Sequence, residues 1–261
     1  MEFKMGSSGW SYRSWNGVFY PMHSRPDEYL HFYSSIFNTV EVDSTFYGLP
    51  HENTVKAWYD AVPDNFLFSL KMPRSITHEK HLLDVKNELQ SFFNVASMFS
   101  SKLGIILIQT APDMPYNYSI LDEFIKLLPD EMRFAIEFRH RSWFADDIYS
   151  LLRKNGIAMV WSLLNYIEAP PVMTSDFLYV RMVGDHSMPI DNFNGVKIDR
   201  KDDIKRYATN IKNKGRNAKI AYIYSNNHFQ GFSPATINFL RNSLGLNELE
   251  FNNNERQRTL F

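Results

Sequence analysis

Ionisable side chains recur at alternate positions near the ends of short apolar segments in this sequence. Glu41 and Asp43 follow this spacing, and so do Glu137 and Arg139. Because successive side chains of a β-strand point to opposite faces, each pair occupies one face of its segment. The corresponding faces of other segments carry Ser69 and Lys71, Gln109, Tyr179 and Arg181, and Tyr222, Tyr224 and Asn226. The spacing therefore predicts a polar surface to which several strands contribute.

The charges on this surface predict a binding site for an anion. Glu41 and Glu137 supply two negative charges, and three positive charges come from Lys71, Arg139 and Arg181. Charges removed from water are costly unless they are paired, and this set leaves one cation in excess. A phosphate or a carboxylate would complete it, because the arginine fork of N–H donors matches both groups.

The same residue types are those of general acid–base catalysis. Glu137 or Glu41 is the candidate base, and His140 or His78 is the candidate acid. Lys71 is a further catalytic candidate, since a buried amine can form a Schiff base with a carbonyl substrate. Each residue has a structural alternative: the charged groups could be ion pairs that fill the interior, and His140 could merely shape a loop.

Eight short apolar segments alternate with helical patterns along the chain. The segment LGIILIQT at residues 103–110 is apolar almost throughout, which is typical of a parallel strand covered on both faces. Nearly every predicted strand precedes a predicted helix; the exception is the proline-rich NYIEAPPVMTS at residues 165–175. This order predicts the α/β class and a parallel eight-stranded (β/α)8 TIM barrel, irregular after strand six, with a doubly wound open sheet as the alternative. Barrels place their active sites at the carboxyl ends of the strands, where the polar residues accumulate here.

A single domain is expected to account for the 261 residues of the chain. No linker, short repeat or low-complexity segment interrupts the alternation of strands and helices. The core is predicted over about residues 3–245, and a polar C-terminal tail over residues 246–261.

The composition excludes several kinds of site. The sequence has no cysteine, which excludes disulfides, thiolate nucleophiles and cysteine-ligated metals. It has neither a glycine-rich phosphate loop nor a dinucleotide fingerprint, and its eight histidines lack metal-ligand spacing, so we expect no cofactor and no metal. A net charge of −1 gives no support to non-specific nucleic-acid binding. Without a signal peptide or a membrane-length apolar run, we expect a cytoplasmic protein that does not enter the membrane.

Several sequence blocks resemble the YecE-like family, also called domain of unknown function 72. They are GSSGWSY at 6–12, YSSIFNTVEVDSTFYGLP at 33–50, FLFSLKMPRSITH at 66–78, RFAIEFRHRSWF at 133–144 and AYIYSNNH at 221–228. The resemblance extends from about residue 6 to residue 244. It implies a TIM-barrel fold and no established reaction, and a suggested similarity of the family to endonuclease-type barrels implies nucleic acid as an alternative partner.

The resemblance also implies a set of site positions. They are Trp10, Tyr12, Glu41, Ser44, Thr45, Tyr47, Lys71, Thr77, His78, Gln109, Glu137, Arg139, His140, Trp143, Arg181 and Asn226. Those expected to bind the substrate are Arg139, Arg181, Trp10, Tyr12, Tyr47, Gln109, Trp143 and Asn226. Two positions depart from the family pattern: Asp43 stands where asparagine is frequent, and Val183 stands where histidine commonly precedes glycine. The resemblance therefore implies no role for these two positions in substrate choice.

Three functions are compatible with these residues. The first is a metal-independent enzyme, such as a hydrolase or a lyase, that acts on a phosphate- or carboxylate-bearing small molecule in a polar pocket at the C-terminal face of the barrel. The second is a nucleic-acid-binding or phosphodiester-acting protein. The third is a non-catalytic ligand-binding protein. The sequence predicts no particular oligomeric state.

Overall fold

Strands and helices alternate along the chain in a computed structural model that describes residues 1–185, 187 and 192–251. The strands are β1 (Glu2–Ser7), β2 (Thr39–Val42), β3 (Leu67–Lys71), β4 (Leu103–Gln109), β5 (Arg133–Glu137), β6 (Ala158–Met159), β7 (Trp161–Leu164), β8 (Phe177–Gly184) and β9 (Ile220–Ser225). The helices are α1 (Tyr29–Ile36), α2 (Glu52–Asp60), α3 (Lys86–Ser97), α4 (Tyr118–Ile125), α5 (Asp146–Lys154), α6 (Lys201–Lys214), α7 (Asn227–Gln230) and α8 (Ser233–Leu244).

The strands form two parallel sheets. One sheet has four strands in the order β1-β9-β8-β7, and the other has five strands in the order β2-β3-β4-β5-β6. This arrangement confirms the α/β class with parallel strands, whereas the single eight-stranded sheet stays a prediction. Two features join the sheets at their edges: a parallel bridge links Ser8 to Glu41, and Val160 alone separates β6 from β7. The proline-rich segment after β7 contains no helix, as the sequence predicts.

Alternate residues of β4 enter different apolar clusters. Ile105 and Leu107 belong to a cluster whose buried members all lie on strands of the two sheets or at Val160 between them. Ile106 and Ile108 belong to a larger cluster that includes residues of the helices. The continuous apolar sequence of this strand is therefore explained by burial on both of its faces.

Charges and caps in the sequence set the limits of two helices next to the sheets. In α5, two aspartates occupy the first turn and Arg153 and Lys154 occupy the last turn, a distribution that complements the helix dipole. Helix α8 has Pro234 in its first turn and is followed by Gly245 with a φ of 82°, which an L side chain adopts only at a cost.

The predicted polar tail begins with apolar contacts. Leu246, Leu249 and Phe251 pack against the main apolar cluster, and the ring centroid of Phe251 lies 5.4 Å from that of Phe19. The rest of the predicted tail, residues 252–261, lies outside the described residues. Within the described part of the chain, no helix has both the length and the apolar character that crossing a membrane requires.

A buried hydroxyl group links the two sheets. The hydroxyl of Tyr224 on β9 lies 2.7 Å from Oγ1 of Thr39 on β2 and 2.8 Å from Oγ of Ser69 on β3. Thr39 uses its own proton on the carbonyl oxygen of Leu67, and Ser69 accepts from the backbone N–H of Ile105. The assignment that satisfies all three hydroxyls has Ser69 donating to Tyr224 and Tyr224 donating to Thr39.

We expect Tyr224→Phe to destabilise the protein by about 1–3 kcal/mol, because it leaves buried hydroxyl partners unsatisfied. Urea unfolding at neutral pH measures this loss. Tyr149→Phe is the matched control: Tyr149 is also buried, but its hydroxyl has no hydrogen-bond partner among the described residues. Equal losses for the two variants would show that the link between the sheets contributes nothing specific.

Candidate functional site

Arg181 on β8 and Glu41 on β2 form a buried ion pair between the two sheets. The Glu41 carboxylate is fully buried and accepts from Arg181 Nε at 2.9 Å and from Nη2 at 2.6 Å. Tyr179 and Ser8 donate to it at 2.6 and 2.8 Å. Burial alone would raise the pKa of Glu41, but Arg181 and the hydroxyl donors hold it below its usual range.

A second buried carboxylate, Glu137 at the end of β5, extends the network. Its Oε2 accepts from Arg181 Nη1, and its Oε1 lies 2.9 Å from Arg139 Nε in a contact that lacks hydrogen-bond alignment. Burial opposes ionisation, yet the adjacent Arg139 and Arg181 lower the pKa of Glu137 to about 2. Both glutamates are therefore ionised at neutral pH, and neither is free to accept a proton as a general base there.

The guanidinium groups are largely engaged by protein acceptors. Arg139 donates to Gln109 Oε1 at 2.8 Å and to the Tyr166 hydroxyl at 3.2 Å. Gln109 Oε1 also accepts from Arg181 at 3.3 Å. These contacts favour the structural alternative for much of the arginine set, and an anion-binding role for Arg139 and Arg181 stays a prediction.

Asp43 is a third carboxylate of the network. It begins a short 3-10 turn, Asp43–Phe46, that directly follows β2, and its Oδ1 lies 3.6 Å from Arg181 Nη2. Burial and the neighbouring Glu41 raise the pKa of Asp43 to about 6, against the opposing effect of Lys71 and Arg181. Asp43 is therefore the carboxylate here that exchanges its proton near neutral pH.

Lys71 at the end of β3 is the cation of the site with fewest partners. Its Nζ lies 4.0 Å from the centroid of the Phe46 ring, and no described residue accepts a hydrogen bond from it or pairs with it as a carboxylate. Burial lowers the pKa of Lys71 and so does Arg181, whereas Asp43 and the two glutamates raise it. The net shift is downward.

His78 lies beside Lys71 and is neutral at neutral pH. Its ring contacts the Phe46 ring edge-on at 4.9 Å, and its Nδ1 lies 2.9 Å from Thr77 Oγ1. Burial, Lys71 and Arg139 lower the pKa of His78 to about 4. A neutral imidazole next to an ammonium is an acceptor for a proton rather than the general acid that the sequence suggested.

The remaining predicted residues have structural contacts in place of hydrogen bonds to the charged groups of the ion network. His140 is exposed and caps the turn Arg141–Trp143 by accepting from the N–H of Ser142, which matches its structural alternative. Trp143 is fully buried, stacks on Phe138 with centroids 5.0 Å apart, and donates to the Met114 carbonyl, so it is a core residue and not a substrate-contacting one.

Three other predicted binding residues also make structural contacts. Trp10 is 9% exposed and packs edge-on against Trp58 with centroids 5.1 Å apart. Tyr12 donates to the carbonyl oxygen of Ser8 at 2.6 Å. Asn226 caps α7 by accepting from the N–H of His228. None of these three contacts is with a charged group of the ion network, although burial most of all, and then the nearby Asp43 and Glu41, raise the pKa of Tyr12.

Tyr47, by contrast, is 82% exposed and lines a cleft of about 660 Å³ next to the site. Phe46, Leu49, Arg74 and Glu79 also line this cleft. Other large apolar side chains are also exposed after the carboxyl ends of strands. Apart from Met1, each such residue in the described chain lies between a strand and the next helix or strand, or begins that helix. They are Met22, Tyr47, Leu49, Leu83, Tyr116, Tyr118, Tyr166 and Val196.

Sequence comparison assigns the chain to a family. The profile of the family described as "Protein of unknown function DUF72" matches residues 4–259. The chain belongs to the DUF72 family. Two curated relatives are UPF0759 protein YecE of Escherichia coli K12, 30% identical over 114 residues, and UPF0759 protein YunF of Bacillus subtilis, 29% identical over 153 residues. These matches cover 43% and 56% of this chain and 42% and 53% of the relatives, about half of their length.

Solved structures of DUF72 proteins share the fold of this chain. A crystal structure from Thermotoga maritima has a TM-score of 0.79 at 24% identity and covers 94% of this chain and 100% of its own. One from Enterococcus faecalis has a TM-score of 0.74 at 18% identity, with coverages of 96% and 98%. The DUF72 assignment confirms the resemblance that the sequence blocks indicate. The description of the family names no reaction.

We expect Arg181→Met to destabilise this DUF72 protein by about 3–5 kcal/mol at pH 7, because it leaves Glu41 and Glu137 buried without their shared cation. Urea unfolding measures the loss. In the variant the two carboxylates would have raised pKa values, so the loss should shrink as the pH is lowered toward 5 and they take up protons. A small loss of stability at pH 7, or a loss that does not change with pH, would show that the ion pairs with Arg181 do not stabilise Glu41 and Glu137.

Proposed function

We propose that this DUF72 protein is an enzyme that binds a small anionic molecule beside Lys71 and transfers a proton on it through Asp43 or His78. The observation that carries the proposal is the state of Lys71: a half-buried ammonium at a strand end, with an aromatic ring on one side and no described acceptor. The other cations of the site already have protein partners. An anion would supply the acceptor that Lys71 lacks.

The charges of the network support an anionic ligand that binds together with a proton. Glu41, Glu137 and ionised Asp43 balance the three cations Lys71, Arg139 and Arg181. Protonation of Asp43 leaves one positive charge in excess. The sequence predicts one cation in excess because it sets two glutamates against three cations. With Asp43 as a third carboxylate, this excess exists only when Asp43 is protonated.

The acid–base groups suit proton transfer near neutral pH. A group with a pKa near the working pH is the most effective proton donor or acceptor, and Asp43 at about 6 meets this condition. His78 at about 4 is a weaker base that stays neutral. We assign the proton-transfer role to Asp43 first and to His78 second, in place of Glu41, Glu137 and His140.

We also propose that the two sheets close into one (β/α)8 barrel in a single domain. The Ser8–Glu41 bridge would close the seam between β1 and β2. At the other seam β6 and β7 would be one strand bent at Val160, whose N–H donates to the Ile136 carbonyl at 2.9 Å. Eight strands result, and their carboxyl ends would surround Lys71, the position in which barrels carry their active sites.

No specific observation favours nucleic acid as the partner. Basic side chains around α6 pair with nearby carboxylates: Arg206 contacts Glu168 and Asp203, and Lys219 contacts Asp176. A non-catalytic protein could bind an anion at Lys71 through the same contacts. This alternative would be favoured if the protein bound anions but catalysed no proton exchange on them.

We expect Lys71→Met to weaken sulfate binding at least about 10-fold, equivalent to about 1.4 kcal/mol, because the substitution keeps the length of the side chain but removes its charge. Isothermal titration with inorganic sulfate at pH 6 measures the affinity. Lys126→Met is the control, since it removes the same charge from an exposed position after α4. Equal affinities for the Lys71 variant and the wild type would refute the anion site.

We expect sulfate affinity to rise about 3- to 10-fold as the pH falls from 8 to 5, with a midpoint near 6, because protonation removes a negative charge beside the anion. Sulfate keeps its own charge over this range. Asp43→Asn should bind sulfate as tightly at pH 8 as the wild type does at pH 5 and lose the pH dependence. His78→Gln should retain it, since His78 titrates near 4. An unchanged pH profile for the Asp43→Asn variant would remove Asp43 from the proposal.

A further inference from the structure

Among the described residues, Lys71 and Lys102 are the lysines whose ammonium groups lie within 4.2 Å of an aromatic ring centroid, and they differ in what these groups donate to. Lys102 is 3% exposed, lies 4.2 Å from the Tyr59 ring centroid, and donates to the carbonyl oxygens of Tyr59 and Val62 at 2.8 Å each. Lys71 lies 4.0 Å from the Phe46 ring and has no such acceptor among the described residues. Lys102 is thus a structural lysine whose hydrogen-bond donors are paired with backbone carbonyl oxygens. Lys71 lacks this pairing among the described residues.

The surroundings of Lys71 are those of a reactive amine. Its Nζ lies at the carboxyl end of β3, with the Phe46 ring on one side, His78 against the same ring and Asp43 in the turn that follows β2. The cleft lined by Tyr47 shares Phe46 with these surroundings, whereas Lys71, Asp43 and His78 do not line it.

We propose that Lys71 forms an imine with the carbonyl carbon of a small aldehyde or keto acid that also carries an anionic group. This inference rests on the proposed function and names its substrate class. The anionic group would lie among the cations of the site, and the carbonyl carbon would lie at Nζ. A carbonyl substrate also fits a cation that has no fixed acceptor, since acceptors around an ammonium favour its protonated form, which has no lone pair for attack.

The proposed step is balanced without any oxidant or co-reactant. The ammonium first gives up one proton to the neutral His78, which passes it to the more basic carboxylate of Asp43. The amine lone pair then forms the N–C bond while the carbonyl π pair moves to oxygen, and a second proton passes from the nitrogen to this oxygen to give a neutral carbinolamine. The hydroxyl leaves as water with the proton from Asp43, which leaves a protonated imine and returns His78 and Asp43 to their starting states. The sum is ammonium plus carbonyl giving iminium plus water, so the charge of the network is unchanged.

The electrostatics of the site assists the first step. Burial and Arg181 lower the pKa of Lys71, which raises the fraction of free amine at neutral pH. The pKa of Asp43, raised to about 6, is close enough to neutral pH for this carboxylate to take up a proton and to release it to the departing hydroxyl.

Trapping with sodium borohydride tests the proposal on the full chain. The protein is incubated at pH 7 with pyruvate or with dihydroxyacetone phosphate, reduced, and mapped by peptide mass spectrometry. We expect the reduced adduct at Lys71 to exceed that at the exposed Lys126 at least about 10-fold, as a lowered pKa and a binding site would require. Lys102 should carry no adduct, and Lys71→Arg should abolish the selective label while retaining the positive charge.

Asp43→Asn separates the proton donor from the anion site. We expect this variant to bind sulfate at pH 6 at least as tightly as the wild type but to accumulate the reduced adduct at Lys71 about 10-fold more slowly. Equal labelling of Lys71 and the surface lysines, or no label at Lys71 with either compound, would overturn the imine. If sulfate binding still depends on Lys71 in that case, the proposed anion site stands alone; if sulfate binding is also absent, both proposals fall.

Discussion

The site is organised by one buried guanidinium held between two buried carboxylates. Arg181 belongs to the four-stranded sheet, and Glu41 and Glu137 both belong to the five-stranded sheet. Buried charges are tolerated only when their partners are complete, and removing one partner of such a pair is strongly destabilising. The network therefore fixes how the carboxyl ends of the two sheets approach each other, just as the hydroxyls around Tyr224 do elsewhere in the interior.

This constraint separates structural from available charges. Because Glu41 and Glu137 are committed to arginines and ionised, they are poor candidates for moving a proton. The network leaves Lys71 with an aromatic neighbour in place of an acceptor, and it leaves Asp43 with a raised pKa. The chemistry that we propose is therefore assigned to Lys71 and Asp43 beside the most buried residues, because perturbed protonation often indicates a functional group.

The sequence predicted which side chains converge but not what each one does. Alternation along a strand is a local property, so the sequence shows which residues share a face of each strand. The prediction of parallel strands then brings Glu41, Glu137 and Arg181 together. Their pairing depends on contacts across 140 and 44 residues, which no local pattern encodes. The substrate contact that the family resemblance predicts for Trp143 likewise takes no account of its packing in the core. The sequence places Asp43 on the same strand face as Glu41, but it does not predict the contact with Arg181, which arises from the turn that follows β2.

Phe46 connects the charged site to the apolar surface around it. One residue contacts Lys71 and His78 and also lines the cleft of about 660 Å³ beside Tyr47. The exposed tyrosines lie mainly on the loops that follow the strands, and exposed aromatic surface of this kind is typical of a surface that contacts another molecule. A ligand whose charged end lies at Lys71 has an apolar surface available across Phe46. The size and shape of that surface, rather than the ion network, would then distinguish one substrate from another.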